Sequence, residues 1–375
     1  ISGTGSLESV DYDIRLDVDS STMGDRAAIR ISGTNASMGD LEEGTSITVL
    51  RNNTSSDGST NKDYVYGITC ASGSVGDING DIYVSTTGST GAYGINIAVS
   101  YGSLGVIRGT ITASVESTNQ NAFGIRFTSI NEDMSVTFGA GAEVITIRGE
   151  SVGTAVQNPR SLTLNVENYC ANSESVTLYG SLVSTYGDIY FESGNYDITS
   201  SLWTAKSVIF TQNASVLLAG EPDSQSSAGC ISTTATLVFE LEHDVDGAIL
   251  TLAEDSYFSA MESITVQLSD ELYAKYSDLI SAQAWDAIDF HIIDATSDIS
   301  LACMEDTEFS ITNADGSITY ASGLSYSDCN FVISSGSGGD GSDTDFDVVP
   351  EPATSTLSLL ALTALLARRR RMINA

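Results

Sequence analysis

The order of apolar and polar residues before position 268 is that of short β-strands. Apolar residues alternate with small or polar ones in brief runs, and Gly, Ser, Asn and Asp separate one run from the next. Clear examples are 46–50, 81–84, 109–115, 144–147 and 161–166. Alternation with a period of two places one set of side chains on each face of an extended strand. The pattern therefore predicts a β-rich body with almost no helix.

Two landmarks repeat together in the first part of this body. The first is an aromatic residue followed by Gly and Ile, at Tyr66-Gly67-Ile68, Tyr93-Gly94-Ile95 and Phe123-Gly124-Ile125. The second is Val75-Gly76-Asp77-Ile78 and Leu104-Gly105-Val106-Ile107, with Met38-Gly39-Asp40-Leu41 as a looser earlier copy. The clear copies lie 27 to 30 residues apart. Two landmarks that keep step in this way indicate repeated supersecondary units.

A strand-only repeat near 29 residues predicts a β-solenoid. We expect residues 1–255 to form an all-β, right-handed parallel β-helix, whose coils stack about 4.8 Å apart because no coil can bury its apolar face alone. Ile68, Ile95 and Ile125 should then point inward at one recurring bend. A β-sandwich is the alternative, since short strands at regular spacing also fit it. Loops of changing length between the landmarks favour the solenoid, where insertions project outward.

The composition and repeat of residues 1–255 resemble the passenger-like β-helices of adhesins and autotransporters. This resemblance covers the strand-rich body as a whole. It implies an exported body with a structural or adhesive role.

Residues 256–334 have a different pattern from the body before them. Ser269 is suited to cap a helix, Asp270 and Glu271 come directly after it, and apolar residues then recur at helical spacing, which predicts an amphipathic helix over 270–284. Strand-like runs surround this helix. We predict that 256–334 is a small β-rich capping module, because the exposed last coil of a solenoid would otherwise pair with other strands.

The end of the chain divides into a linker, a short apolar helix and a block of positive charge. Residues 335–349 are rich in Gly, Ser and Asp, which predicts a solvated linker. Pro350, Glu351 and Pro352 come next, and 353–367 is then free of charged residues. As a helix this run would span about 22 Å, against roughly 30 Å for a hydrocarbon core. The charge block, expected to stop on the cytoplasmic side, is Arg368, Arg369, Arg370 and Arg371.

This tail, residues 350–375, resembles the PEP-CTERM sorting signal of bacterial surface and exopolysaccharide-associated proteins. The resemblance rests on the Val-Pro-Glu-Pro-Ala-Thr stretch at 349–354, the Leu/Ala run at 357–367 and the four arginines after it. It implies that an exosortase, a membrane-embedded cysteine transpeptidase, recognises Pro350, Glu351 and Pro352 and cuts nearby. The protein would then reach the cell surface or matrix after transient anchoring by its C-terminal helix. A plain tail-anchor helix is the alternative.

Charge and cysteine usage narrow the functions that the body can perform. With 49 acidic and 15 basic residues, the chain carries a net charge of −34 at pH 7. Such a field repels phosphate backbones, so we exclude nucleic acid as a partner. The cysteines lie far apart without a metal-binding pair, and we expect no metal site and no cofactor. They are Cys70, Cys170, Cys230, Cys303 and Cys329.

Carboxylate pairs keep a carbohydrate-active β-helix enzyme, a polysaccharide lyase or a glycoside hydrolase, as the first alternative function. Asp77 with Asp81, and Asp188 with Glu192, fall on strand or turn positions that can reach a surface groove. The G-x-S-x-G pattern at 149–153 is set aside, because a nucleophile elbow requires a helix after it and the stretch 154–159, which ends in Pro159, cannot begin one.

His243 is predicted to be a core or strand-edge histidine rather than a catalytic one. It alternates with acids and shares its face with Leu241 and Val245. The dipeptide Asp246-Gly247 should then supply a hairpin turn.

The linker carries the second alternative, a calcium-dependent surface-layer component. Asp343, Asp345 and Asp347 would be its calcium ligands. The preferred prediction is a non-enzymatic exported bacterial surface or matrix protein. Its expected partners are an exosortase-type membrane transpeptidase, the membrane before processing, and extracellular polysaccharide.

Overall fold

The structure is a computed structural model of the chain. It describes residues 1–19, 24–52, 63–87, 91–98, 102–116, 121–128, 132–148, 151–152, 154–158, 160–170, 172–199, 203–219, 229–232, 236–245, 247–253, 256–259, 263–288, 290–295 and 307–324. All of these lie within one compact unit that spans residues 1–336. The predicted linker 335–349 and the predicted sorting tail 350–375 lie outside the described residues.

The described strands join three long sheets, here called A, B and C. Sheet A contains β1 (Ser6–Leu7), β3 (Arg26–Met38), β5 (Tyr64–Val75), β7 (Gly91–Ile97), β8 (Gly102–Leu104), β10 (Asn121–Phe127), β14 (Thr154–Asn158), β17 (Ser181–Ser184) and β20 (Trp203–Thr204). Sheet B contains β11 (Met134–Phe138), β15 (Leu162–Val166), β18 (Ile189–Phe191), β21 (Ser207–Thr211), β24 (Thr236–Leu241), β27 (Ser263–Leu268), β29 (Glu308–Asn313) and β30 (Thr319–Leu324).

Sheet C has the longest series of neighbouring strands. It contains β2 (Ile14–Asp19), β4 (Ser46–Asn52), β6 (Asp81–Thr87), β9 (Thr110–Val115), β12 (Glu143–Arg148), β13 (Ser151–Val152), β16 (Val176–Tyr179), β19 (Gly194–Thr199), β22 (Ala214–Ala219), β25 (Leu250–Leu252) and β28 (Ile293–Ala295). Two further strands, β23 (Gly229–Ser232) and β26 (Ser256–Ser259), pair with each other.

Successive strands along the chain go to different sheets, so each coil adds one strand to each side. From β10 onward the order A, B, C repeats as β10–β11–β12, β14–β15–β16, β17–β18–β19 and β20–β21–β22. Parallel neighbours within a sheet are therefore one coil apart. Among the described strands, only β12–β13 and β29–β30 pair antiparallel. This all-β, solenoid-like pairing rules out the β-sandwich alternative, whose sheets are antiparallel.

The core is built from rows of aliphatic side chains that keep one register from coil to coil. The longest described row, in sheet C, is Ile14, Ile47, Ile82, Ile111, Val144, Leu178, Ile198, Leu218 and Leu252. All but the first of these are buried. Period-two alternation produces the row, because every second residue of each strand points inward. Each coil thereby buries its apolar face against the next one.

The aromatic-Gly-Ile landmark behaves as the sequence predicts. Ile68 pairs with Ile95, and Ile95 with Ile125, and all three are fully buried in the core. The preceding aromatic residues stack outside that core, with ring centroids 5.1 and 5.2 Å apart. Gly94 lies between Tyr93 and Ile95 in the sequence. A Cβ atom added to it would lie 2.3 Å from Ile111 Cγ2. Only glycine fits this bend, at which the inward-facing positions change phase.

The second landmark of the sequence, at 38–41, 75–78 and 104–107, supplies the third side of the early coils. Val10, Leu41, Ile78, Ile107 and Phe138 form a column of single parallel bridges, each to the next. All five are fully buried. From β11 onward, the strands of sheet B take over this side of the solenoid. The early coils are therefore closed by one inward residue where the later coils use a whole strand.

The ladders continue past residue 255, where the sequence predicts that the body gives way to a capping module. β27 pairs with β24 before it and with β29 after it, both in parallel. Helix α1 (Asp270–Ser281) is inserted between β27 and β28, and it matches the start of the helix predicted over 270–284. The antiparallel strand β30 then covers the outer edge of β29. The predicted segment thus supplies further coils as well as an end hairpin.

Candidate functional site

The predicted sorting motif is outside the part of the chain that the structure describes. This holds for Pro350, Glu351 and Pro352, for Arg368 to Arg371, and for the calcium candidates Asp343, Asp345 and Asp347. Within the described ranges, no helix is long and apolar enough to cross a membrane. The sites described below all belong to the solenoid body.

Asp77, a candidate catalytic carboxylate, holds neighbouring coils together. Its Oδ1 accepts a hydrogen bond from the backbone N–H of Val106 at 2.9 Å, and its Oδ2 accepts one from Arg108 Nη1 at 2.7 Å. Arg108 also pairs with Glu167. The bond from Arg108 lowers the pKa of Asp77, which keeps this carboxylate charged. A carboxylate fixed in this way is suited to accept hydrogen bonds and unsuited to deliver a proton near neutral pH.

Other aspartates perform the same coil-to-coil function. Asp40 Oδ1 accepts from the N–H of Asp77 at 2.8 Å, and Asp81 Oδ1 accepts from the N–H of Thr110 at 2.9 Å. Asp13 and Asp133 cap Ser46 and Ser161 in the same manner, at 2.8 and 3.0 Å. Backbone N–H groups at the corners and at the first residues of strands thereby find acceptors. The predicted pair Asp77 and Asp81 is thus placed in two separate capping interactions.

Asp188 and Glu192 stand at opposite ends of β18. Four residues of extended chain separate their Cα atoms by roughly 13 Å. The backbone N–H of Asp188 donates to Ser161 Oγ, and Glu192 accepts from Asn165 Nδ2 at 3.3 Å. Each therefore contacts the preceding coil.

Tyr190 lies between these two acids on the outer face of sheet B. Its hydroxyl donates to Glu240, two strands away. Burial, together with this bond and the neighbouring carboxylates, raises the pKa of Tyr190.

Among the described residues, no three His, Cys, Asp or Glu side chains are grouped so as to hold a metal ion.

His243 is exposed, so its predicted place in the core or at a strand edge is wrong. Strand β24 ends at Leu241, and the alternation on which the prediction relied does not extend further. The predicted hairpin at Asp246-Gly247 is also wrong, because β24 belongs to sheet B and the next strand, β25, to sheet C. The backbone N–H of His243 donates to Gln212 Oε1 at 2.9 Å.

Two described cysteines are free thiols in opposite settings. Cys70 is fully buried in the core of sheet A, and burial raises its pKa. Cys170 is exposed, and a hydrogen bond with Ser173 lowers its pKa. The G-x-S-x-G pattern at 149–153 is followed by the strand β14 rather than by a helix, as the sequence predicts.

A pocket of about 570 Å³ opens beside the end of β10. We call it the Arg126 pocket; it is lined by Arg126, Phe127, Thr128, Gln157, Arg160, Thr185 and Tyr186. Arg126 and Gln157 are register partners on neighbouring coils. The Arg126 guanidinium carbon lies 5.0 Å from the ring centroid of Tyr93 and 5.7 Å from that of Phe123. Two arginines thus line one pocket of a strongly acidic chain.

The sequence reasoning did not single out this pocket, although one signal for it was present. Arg126 directly follows the third aromatic-Gly-Ile landmark, at a position where the first two copies have Thr69 and Asn96. Nothing local indicated that Tyr186, sixty residues later in the chain, would line the same pocket. No protein-family model, curated protein or solved structure matches the chain.

Proposed function

We propose that this protein is a non-enzymatic, exported module of a bacterial surface or extracellular matrix, with a structural or adhesive role. The observation that carries the proposal is the use of its acidic side chains. Asp77 and Asp81, which would be catalytic candidates in an enzyme, instead accept hydrogen bonds from the next coils. The carboxylate of Glu192 likewise accepts a hydrogen bond from Asn165 on the preceding coil. The acids thereby support a regular stack.

The body is proposed to be a right-handed parallel β-helix. The parallel strands of each sheet are joined by connections that cross the other sides of the solenoid. Crossover connections between parallel strands are right-handed in the great majority of proteins, because of the twist of the strands. A repetitive body of this kind presents long rows of outward side chains, which suits a surface role.

Delivery to the surface is proposed to depend on the tail. Its resemblance to PEP-CTERM signals supports recognition of Pro350, Glu351 and Pro352 by an exosortase-type transpeptidase. The prolines disfavour helix at 349 and 351, so Glu351 would be presented in extended chain. The arginines from Arg368 to Arg371 would hold the tail at the cytoplasmic face until cleavage.

The experiment is to express tail variants in an exosortase-containing bacterium and label intact cells with an antibody against the body. Replacing Pro350, Glu351 and Pro352 with alanine should leave the protein in the membrane fraction, uncut and poorly labelled. Replacing Ser355 and Thr356, which follow the stretch 349–354, with alanine is the matched control and should leave labelling unchanged. Equal labelling of both variants would overturn the proposed sorting.

A further inference from the structure

We propose that the Arg126 pocket binds a carboxylated sugar, either free or as part of an acidic polysaccharide. The inference deepens the proposed surface role, on which it rests, by naming the chemistry of a ligand. It is carried by three properties of the pocket, which are a positioned cation, an exposed aromatic ring and hydrogen-bonding groups from several coils.

The cation is Arg126, which makes no ion pair with any described carboxylate. Arg15, Arg51 and Arg108 each pair with a carboxylate of the chain. Arg126 instead packs over the rings of Tyr93 and Phe123. Such contacts hold a guanidinium in place while its N–H groups remain available for a carboxylate, which they can bind in a two-pronged fashion.

The aromatic ring is Tyr186, whose 78 % exposure is the largest among the exposed large hydrophobic residues of the described chain. A single exposed aromatic residue on a protein surface needs no explanation by itself. Tyr186, however, lines the same pocket as Arg126 and Arg160. An exposed aromatic face can pack against the C–H face of a sugar ring, while the arginines meet the carboxylate.

Hydroxyl and amide groups complete the lining. Gln157 lies one coil after Arg126, and Thr185 follows β17 on the coil after that. With about 4.8 Å between strands, three coils cover roughly 10 Å, which suits a short oligosaccharide. Behind the lining, Asn158 and Ser184 both bond to the backbone of Arg160. These bonds connect the lining residue Arg160 to strands β14 and β17, so sheet A supports the pocket.

The negative charge of the body favours ligands with widely spaced negative charges over ligands with closely spaced ones. At physiological ionic strength charges are screened beyond about 8 Å, so the groups that line the pocket dominate. Duplex DNA carries a charge every 1.7 Å or so along its axis. A polysaccharide carries at most one carboxylate on each uronate ring, so its charges are much further apart. A carboxylated sugar therefore suits this protein better than a polyphosphate.

The test is calorimetric titration of the full chain with a galacturonate tetramer, its methyl-esterified twin and the galacturonate monomer. The acidic tetramer should bind at least tenfold more tightly than the neutral ester, which has the same rings without the charge. Equal affinity for the two tetramers, or no binding of the acidic one, would overturn the inference. A monomer that matches the tetramer identifies a free sugar acid, and a weaker monomer identifies a polysaccharide; both agree with the proposed chemistry.

Three variants locate the binding. Arg126→Gln should weaken binding of the acidic tetramer about tenfold to a hundredfold, because a charge-assisted hydrogen bond is lost. Tyr186→Ala, at an exposed position that does not threaten folding, should weaken it about threefold to tenfold. Arg15→Gln changes the net charge equally at an exposed site and should leave the affinity unchanged. An equal loss in Arg15→Gln and Arg126→Gln would overturn the site.

The outcome is separable from that of the proposed sorting. A chain that is cut and displayed on cells but does not bind the acidic tetramer would refute this inference and leave the sorting proposal standing. A chain that binds the tetramer but is not processed would refute the sorting and leave the pocket assignment standing.

Discussion

The coils before β11 and the coils after it build the same stack with their aromatic side chains on opposite sides of the wall. In the early coils, Tyr66, Tyr93 and Phe123 stack outside the core of sheet A. Burial raises the pKa of Tyr66 in this outer column to about 12. Glycine residues at the bends let the strands turn beneath this aromatic column.

In the later coils the stacked aromatic column lies inside the core. Phe191, Phe210 and Phe239 stack in sheet B with ring centroids 5.2 and 5.1 Å apart, and Trp203 packs against the first two. All four are fully buried. The third side here is a whole strand per coil rather than a single bridge, so the interior has more width to fill. One stacking geometry can therefore be stabilised by tight polar corners or by a filled aromatic core.

The largest effect is expected from the inner aromatic column. Phe210→Ala should lower the free energy of unfolding by about 3 to 5 kcal/mol, because a fully buried ring between two others is replaced by a cavity. Urea denaturation followed by circular dichroism measures this. Phe210→Leu, which keeps much of the volume, should recover most of the loss. A cost for Phe210→Ala below about 1 kcal/mol would show that this column does not hold the later coils together.

A smaller loss is expected at the bend of the early coils. Gly94→Ala should cost about 1 to 3 kcal/mol, because its Cβ would lie 2.6 Å from the carbonyl oxygen of Gly124, a backbone atom with little freedom to move. Gly247→Ala is the matched control, since nothing lies within 4 Å of its added Cβ. Thermal unfolding of the two variants makes the comparison. Equal melting temperatures would contradict the account of the landmark.

The smallest effect is expected at the polar corner. Asp77→Asn should cost about 1 kcal/mol at pH 7, since a half-exposed charged hydrogen bond to Arg108 is weakened. Asp17→Asn removes a fully surface ion pair with Arg15 and should cost nothing measurable. Urea unfolding at pH 7 compares the two. A loss of the same size in both variants would show that Asp77 stabilises the protein no more than an exposed ion pair does.

The contribution of Asp77 should also depend on pH with a definite sign. Its folded-state pKa lies below the ordinary value of 3.8. Its stabilisation is therefore fully present above that ordinary value, and it disappears as the pH falls through the folded-state pKa. The stability difference between the unaltered chain and Asp77→Asn should shrink below about pH 4. A difference that grows with acidification would contradict this assignment.

The early coils were predictable because their landmarks are chemically restrictive. Gly94 admits no side chain, and Asp77 must reach an amide one coil away, so the sequence preserves these residues at a visible period. The later coils have no such requirement. Any of several aliphatic or aromatic residues fills an inward position, so Phe191 and Phe210 leave no repeating motif in the sequence.

The functional residues were less predictable than the fold. The sequence presents Asp77 and Asp81 as groove candidates, because a linear sequence does not reveal which backbone N–H faces a given carboxylate. The change of pattern after residue 255 predicts a separate module, yet β27 and β29, on either side of helix α1, continue the ladder of sheet B. The Arg126 pocket escaped notice because its residues come together only when coils stack.

Mass spectrometry of the mature protein from an exosortase-containing bacterium would show whether the solenoid body is sorted to the surface and released from its tail. The account predicts that the dominant C-terminal peptide ends close to Pro350, Glu351 and Pro352. Dominant peptides that run intact through Pro352 into 357–367 would show a plain tail anchor and contradict the proposed sorting.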